Sequence, residues 1–282
     1  MGNLLSMWMQ VMLLVLVPLA VLSLAVYFCR VLFVWLVGER GAQRLLLVAF
    51  APSTPLRELG HAMAAILFWQ RVEDICLLDV HAPEGELGFV ERSYDPRNPV
   101  AQLGNLFYWV VPVLLGLLAV FGVSYLFFAP VMSGFMQEIA ALAESGADAG
   151  EYLLAALRLL PTVIASPEVS IWQKLLGFAL LLLFSMGVFS SATDVIEGFL
   201  GTVYFAVLVL AAIAVLLLFD TRVQGMVMEL IHTLAVCVLA MFLLVLLCIV
   251  LWLCVGLVIF LLRTLLGTGE EPKEQGLQEY QG

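Results

Sequence analysis

The sequence predicts an all-α polytopic membrane protein with about six transmembrane helices and a small β-hairpin. Hydrophobic residues make up 63% of the 282 residues, and mean hydropathy is +1.10. Soluble domains are only about half apolar. Charged residues account for 12% of the chain, too few to cover the surface of a water-soluble fold of this size. The lipid bilayer must therefore be the solvent for most of the chain.

The charge balance excludes one class of partner. Lysine and arginine total 12 against 22 aspartates and glutamates, a net charge of −10, so we expect no nucleic acid partner. The cysteines form no C-x-x-C pair and fall mostly in apolar runs. We interpret them as packing residues, not as metal ligands or a disulfide framework.

The predicted helices follow from apolar runs, since a span needs about 20 apolar residues. The six runs cover residues 7–37, 45–69, 100–128, 171–189, 199–219 and 225–262. The second is interrupted by A-P-S-T-P at 51–55, where Pro55 can begin a new helix. Interrupted backbone at membrane depth is tolerated only where protein or a cavity surrounds it, so this break indicates a site.

The polar segments complete a four-part organisation. An N-terminal span and link (1–44) precede a membrane core (45–220), a long last span (221–266) and a tail whose composition is typical of disorder (267–282). Within the core, residues 71–99 predict a hairpin, and residues 129–170 predict an acidic interfacial insertion of two short amphipathic helices. Six spans would place both termini on one side, but the Lys/Arg balance between the two sides is even.

The chemistry is concentrated in T-P-L-R-E-L-G-H-A-M-A-A, residues 54–65. In an H-E-x-x-H motif, two histidines four apart on one helix face bind zinc, and the glutamate activates the metal-bound water. Glu58 and His61 occupy the last two key positions. Arg57 stands where the first histidine would be.

Around this motif the chain resembles the site-2 protease family of intramembrane zinc peptidases. Three further segments carry the resemblance: R-V-E-D-I-C-L-L (71–78), N-P-V-A-Q-L-G-N-L-F-Y-W-V-V-P (98–112) and S-S-A-T-D-V-I-E-G (190–198). The resemblance covers about residues 45–220 and implies that Asp194 corresponds to the third zinc ligand. Glu58 would be the general base, actual or vestigial.

Arg57 is the departure from this family pattern. A guanidinium has no free lone pair and cannot ligate zinc, so His61, Asp194 and Glu58 are the remaining candidates, with His81 or His232 as possible replacements. Our hypothesis is that Arg57 takes over the metal's positive charge and bridges Asp194 and Glu58. Arg57 is expected eight to twelve residues into its helix, so residues 190–194 would have to dip inward to meet it.

Two questions remain open at this level. Asn98, Gln102 and Asn105 lie about one turn apart and either line a substrate groove or form interhelical hydrogen bonds. The leading functional hypothesis is a non-catalytic protein that needs no cofactor and holds a membrane protein partner in a bacterial cytoplasmic membrane. The alternatives are an active zinc protease with an altered ligand set and a subunit of a transporter or channel.

Overall fold

The chain is mostly helical and contains a small two-stranded antiparallel sheet, as the sequence predicts. A computed structural model describes residues 2–38, 51–79, 87–185, 187–188, 192–219 and 221–265. His81 and the predicted tail 267–282 lie outside this part. The elements are α1 (Gly2–Val37), α2 (Thr54–Leu67), β1 (Arg71–Cys76), β2 (Phe89–Ser93), α3 (Pro99–Ser145), α4 (Ala149–Ala165), α5 (Ile171–Ser185), α6 (Ala192–Leu216) and α7 (Thr221–Leu265).

Within the described residues, four helices are long and apolar enough to cross a membrane: Val17–Val37, Pro99–Ser145, Ile196–Leu216 and Arg222–Leu265. The predicted count of about six spans is not confirmed. The described part of the run 171–189 contains α5, which has 15 residues, and the described part of the run 45–69 contains α2, which has 14 residues. At about 1.5 Å per residue, both are shorter than the hydrocarbon core of a bilayer.

Helix α3 is the central element and packs against α2, α4, α5, α6 and α7. It begins after Asn98, whose side chain accepts a hydrogen bond from the backbone N–H of Val100 at 3.0 Å. Pro99 follows at the first helical position, where the missing N–H costs nothing. Its end is set by Gly146, which adopts a left-handed conformation (φ 69°).

The segment 129–170 differs from the predicted insertion. Its first half continues α3 beyond a kink at Phe128, where φ and ψ leave the helical region and Pro130 follows. Its second half is α4, which Asp148 caps by accepting a hydrogen bond from Glu151 N at 3.1 Å. Both halves contribute to the main hydrophobic core, for example through Ile139. Periodicity alone did not reveal this continuity because a proline only bends a helix that packing supports.

The predicted hairpin is present. Strands β1 and β2 pair antiparallel, with Arg71 opposite Ser93 and Cys76 opposite Phe89. A register irregularity lies between Val72 and Asp74. The hairpin follows α2 directly through a turn at Trp69 (φ 59°), so it sits against the helix that carries the motif.

The first and last helices pack side by side and run in the same direction. Phe33 and Trp252 make an edge-to-face contact with centroids 5.2 Å apart. Further along both helices, Arg263 donates a hydrogen bond to the carbonyl of Val37 at the end of α1. Because α1 and α7 are parallel, their first residues lie at one end of the molecule and their last residues at the other. The expectation of both termini on one side is therefore wrong for these helices.

Helices α3 and α6 approach each other closely at Gly201. A Cβ atom there would lie 2.5 Å from the backbone N of Leu106 and 2.6 Å from the carbonyl O of Gln102. Small residues allow this kind of backbone approach between membrane helices. The contact holds the start of α6 against the start of α3.

We predict that Gly201→Ala destabilises the protein by about 1–3 kcal/mol, because the backbones must separate to admit a methyl group. Gly122→Ala is the matched control, since a Cβ at Gly122 meets nothing within 4 Å. At Gly122 alanine should instead stabilise the protein by about 1 kcal/mol, because alanine has the higher helix propensity. Thermal unfolding of the detergent-solubilised variants measures both effects. Equal changes at the two glycines would contradict the close contact.

Candidate functional site

The motif lies at the start of α2. Because this helix begins at Thr54, Arg57 ends its first turn, Glu58 begins the second, and His61 lies one turn after Arg57. Glu58 and His61 are buried, with 3% and 5% of their surface exposed, while the Arg57 side chain is 22% exposed. The predicted depth of eight to twelve residues for Arg57 within its helix is wrong, because the helix starts later than the apolar run suggested.

The small residues of the motif bring α2 against α3. A Cβ at Gly60 would lie 2.8 Å from the Cα of Pro112. Ala64 and Ala65 are fully buried in a small cluster with Tyr108. The glycine before the histidine is therefore a packing requirement, since any side chain there would push the two helices apart.

Arg57 forms an ion pair with its neighbour Glu58. The guanidinium donates from Nε and Nη2 to the same carboxylate oxygen, Oε1, at 2.8 and 2.6 Å. Charge-assisted hydrogen bonds of this kind are about twice as strong as neutral ones. The Glu58 carboxylate of the motif is thus engaged by Arg57.

Asp194 is brought into the electrostatic range of the motif. It lies in the first turn of α6 and is partly buried. Burial lowers the pKa of His61 to about 4; the Asp194 carboxylate opposes this shift and the Arg57 guanidinium adds to it. His61 is therefore neutral at physiological pH, with opposite charges acting on its ring.

Two residues of the connection between α5 and α6, Gly187 and Val188, are buried. Helix α5 ends at Ser185, and Val188 is 0% exposed. A Cβ at Gly187 would clash with Ser53 at the start of α2, and one at Gly116 of α3 would lie 2.8 Å from Val188. Gly187 and Val188 thus lie against the start of α2 and against α3, a few residues before the helix that carries Asp194.

The sequence leaves His61, Asp194 and Glu58 as the candidate metal-binding residues. In the described ranges, no group of three or more His, Cys, Asp or Glu side chains is placed to hold a metal, and catalytic zinc normally has three protein ligands. His232 is exposed on α7. The buried Nδ1 of His61 has no hydrogen-bond partner among the described residues.

Beside the motif lies a buried polar cluster centred on Arg92 of β2, which the sequence analysis did not identify. Its Nη1 donates to Gln70 Oε1 and to Asn105 Oδ1, both at 2.6 Å. Its Nη2 forms an ion pair with Glu197 Oε2 at 2.8 Å. The Arg92 side chain is only 7% exposed. This guanidinium joins the hairpin, α3 and the first turns of α6.

Aromatic rings connect the cluster to the motif. The Arg92 guanidinium lies 3.7 Å from the Tyr108 ring centroid. The His61 ring also contacts Tyr108, with the two ring centroids 4.2 Å apart. Tyr108 also donates to the carbonyl of Val90 at 3.1 Å. Cation–π contacts gain strength where water is excluded. In the sequence, Tyr108 resembles an interface anchor, and Arg92 is one of twelve basic residues, so no local pattern distinguished either.

The three polar residues at the start of α3 make hydrogen bonds within the protein. Asn98 caps the helix. Gln102 donates to the carbonyl of Pro96 at 3.0 Å, and Asn105 donates to the hydroxyl of Tyr94 at 3.0 Å. Gln102 and Asn105 are 7% and 2% exposed. These three hydrogen bonds tie the start of α3 to its own cap and to the loop before it; none of the three joins two helices, so both alternatives, groove lining and interhelical bonding, stay predictions.

The comparisons with known proteins do not assign this chain to a family. No family model matches the sequence, and no curated protein and no solved structure matches it either.

We predict that Arg92→Lys destabilises the protein by about 1–3 kcal/mol, because an ammonium cannot satisfy Gln70, Asn105 and Glu197 together and leaves buried acceptors without donors. The hairpin should also become more sensitive to limited proteolysis. Arg97→Lys is the control, since Arg97 lies exposed in the following loop. If both variants unfold at the wild-type temperature, Arg92 does not hold the cluster together.

Proposed function

We propose that this protein is a non-catalytic relative of the site-2 protease that holds a membrane protein partner. One observation supports the proposal above the others: Arg57 is ion-paired with Glu58, and both Arg57 and Asp194 act electrostatically on His61. In this proposal Glu58, His61 and Asp194 are what remains of a zinc peptidase site, and the arginine at position 57 stands where the first zinc ligand would be. The four long apolar helices fit a membrane location, and the bacterial cytoplasmic membrane belongs to the proposal.

The electrostatics explain why arginine would be retained at this position. Glu58 is buried and Asp194 is partly buried, and carboxylates in such surroundings need a compensating positive charge. A zinc ion would supply it in an active peptidase. In our proposal the Arg57 guanidinium supplies it by bridging Glu58 and Asp194, and thereby ties the first turn of α2 to the first turn of α6.

The lengths of the flanking helices suggest how a partner would be held. Helix α7 has 45 residues, which is about 67 Å at 1.5 Å per residue, roughly twice the hydrocarbon thickness of a bilayer. Helix α1, with 36 residues, packs along it. Both lie outside the region that resembles a peptidase, so the pair can offer a docking face without disturbing the old site.

An active zinc protease with an altered ligand set is the second candidate. It is favoured by the buried Nδ1 of His61, a nitrogen lone pair without a hydrogen-bond partner among the described residues. Imidazole nitrogen is a common zinc ligand. This candidate requires a third donor that the described residues do not place beside His61 and Asp194.

We predict energetic coupling between Arg57 and Asp194. In a double-mutant cycle with Arg57→Gln and Asp194→Asn, unfolding free energies should show an interaction of about 0.5–3 kcal/mol, as for residues in one charged network. A second cycle, pairing Arg57→Gln with Glu229→Gln on the exposed side of α7, should be additive. Additivity in both cycles would remove the proposed bridge.

Metal content separates the two candidate functions. We predict that the purified wild-type protein contains no zinc by elemental analysis, and that Arg57→His acquires a zinc ion because it restores two histidines four residues apart on one helix face. Arg57→Lys should remain free of zinc. Wild-type zinc that disappears in His61→Ala would instead establish the altered-ligand protease.

A further inference from the structure

A hydrophobic groove lies where α1, α6 and α7 meet, at the end of the molecule where α1 and α7 begin. Its volume is about 390 Å³, within the range of about 300–1,000 Å³ that is typical of ligand sites. The walls include Val11 of α1, Ala212 and Leu216 of α6, and Val227 and Ile231 of α7. The nine described side chains that line the groove are all hydrocarbon, and none of them offers a hydrogen bond to a polar ligand.

The groove lies beside a membrane span and close to its end. The candidate span Ile196–Leu216 in α6 supplies one wall, and Phe219 lines the groove just beyond it. Hydrocarbon-lined space at this depth is unfavourable for water, because water needs polar partners. A flexible acyl chain from the surrounding bilayer can fill this space and pack against its hydrocarbon walls. A folded helix is too wide to enter a space of this volume.

A basic residue stands in the chain between residues that line the groove, at the start of the candidate span Arg222–Leu265. Arg222 is exposed in the first turn of α7. It follows the lining residue Phe219 by three positions and precedes Val227 by five. Exposed arginines near the end of a span attract the phosphate of anionic lipids. Hydrocarbon walls with a cation at their end are complementary to one molecule of anionic phospholipid.

We propose that this groove is a binding site for an anionic phospholipid. One acyl chain lies between α1, α6 and α7, and the phosphate binds Arg222. Other occupants fit less well: the acidic segment 267–282 has no apolar run, and α7 ends at Leu265, about 50 Å along the helix from Ile231 at 1.5 Å per residue. The site is independent of the proposed pseudoprotease function, since none of its residues belongs to the motif or to the Arg92 cluster.

The test is lipid binding by native mass spectrometry, with the full-length protein titrated in detergent with phosphatidylglycerol or phosphatidylcholine. The wild type should retain one phosphatidylglycerol more tightly than phosphatidylcholine. Ala212→Trp fills the groove and should weaken retention of both lipids by about tenfold or more. Ala211→Trp is the matched control, because Ala211 is exposed on the same helix turn but does not line the groove. Val227→Phe tests the opposite wall if Ala212→Trp does not fold.

The headgroup contact has its own variant. Arg222→Gln should bring phosphatidylglycerol binding down to the level of phosphatidylcholine, while Arg71→Gln, an exposed arginine on β1, should leave the preference intact. Equal lipid retention by Ala212→Trp, Val227→Phe and Ala211→Trp overturns the acyl-chain site. A wild type without headgroup preference overturns the role of Arg222. A groove variant that changes the dimer population instead of lipid binding would show that a second copy of the chain covers this surface.

Discussion

Charged side chains that are buried among apolar helices need partners, and this requirement determines how the centre of the molecule is built. An isolated charge in such surroundings costs several kcal/mol, whereas a pair with good hydrogen bonds recovers much of the cost. Arg57 donates twice to Glu58, and Arg92 combines an ion pair to Glu197 with two hydrogen bonds to amide side chains. These two guanidiniums neutralise carboxylates on α2 and α6 and thereby connect the elements that carry the motif.

The same centre depends on where backbones can approach closely. Gly60 lets α2 reach Pro112 of α3, and Gly201 lets α6 reach Leu106. Gly187 admits Ser53 at the point where the chain passes between α5 and α6. If any of these contacts were widened by a side chain, Asp194 would move away from His61. Packing around glycine and pairing of charge are therefore two parts of one arrangement.

The fold class could be predicted because apolar composition and run length depend only on local sequence. The hairpin was predicted for a similar reason, since β1 and β2 are close in the chain and bounded by turn residues. The number of spans could not be obtained in this way. Whether residues 171–189 cross a membrane depends on where α5 stops, and it stops at Ser185, ahead of a connection buried against Ser53 and Gly116. The continuation of α3 past Phe128 likewise depends on packing on α7, which lies more than a hundred residues away in the chain.

The sequence by itself predicted a membrane protein from its apolar composition, and it placed Arg57, Glu58 and His61 together within one short helix. Each of these follows from residue identity and short-range spacing. The tertiary structure decided which charged side chains interact with one another. Arg57 pairs with its own neighbour Glu58, Asp194 acts electrostatically on His61, and Arg92 becomes the centre of a cluster drawn from four separate segments. The last two arrangements join residues far apart in the chain, and only the packing of α3 against its neighbours brings them together.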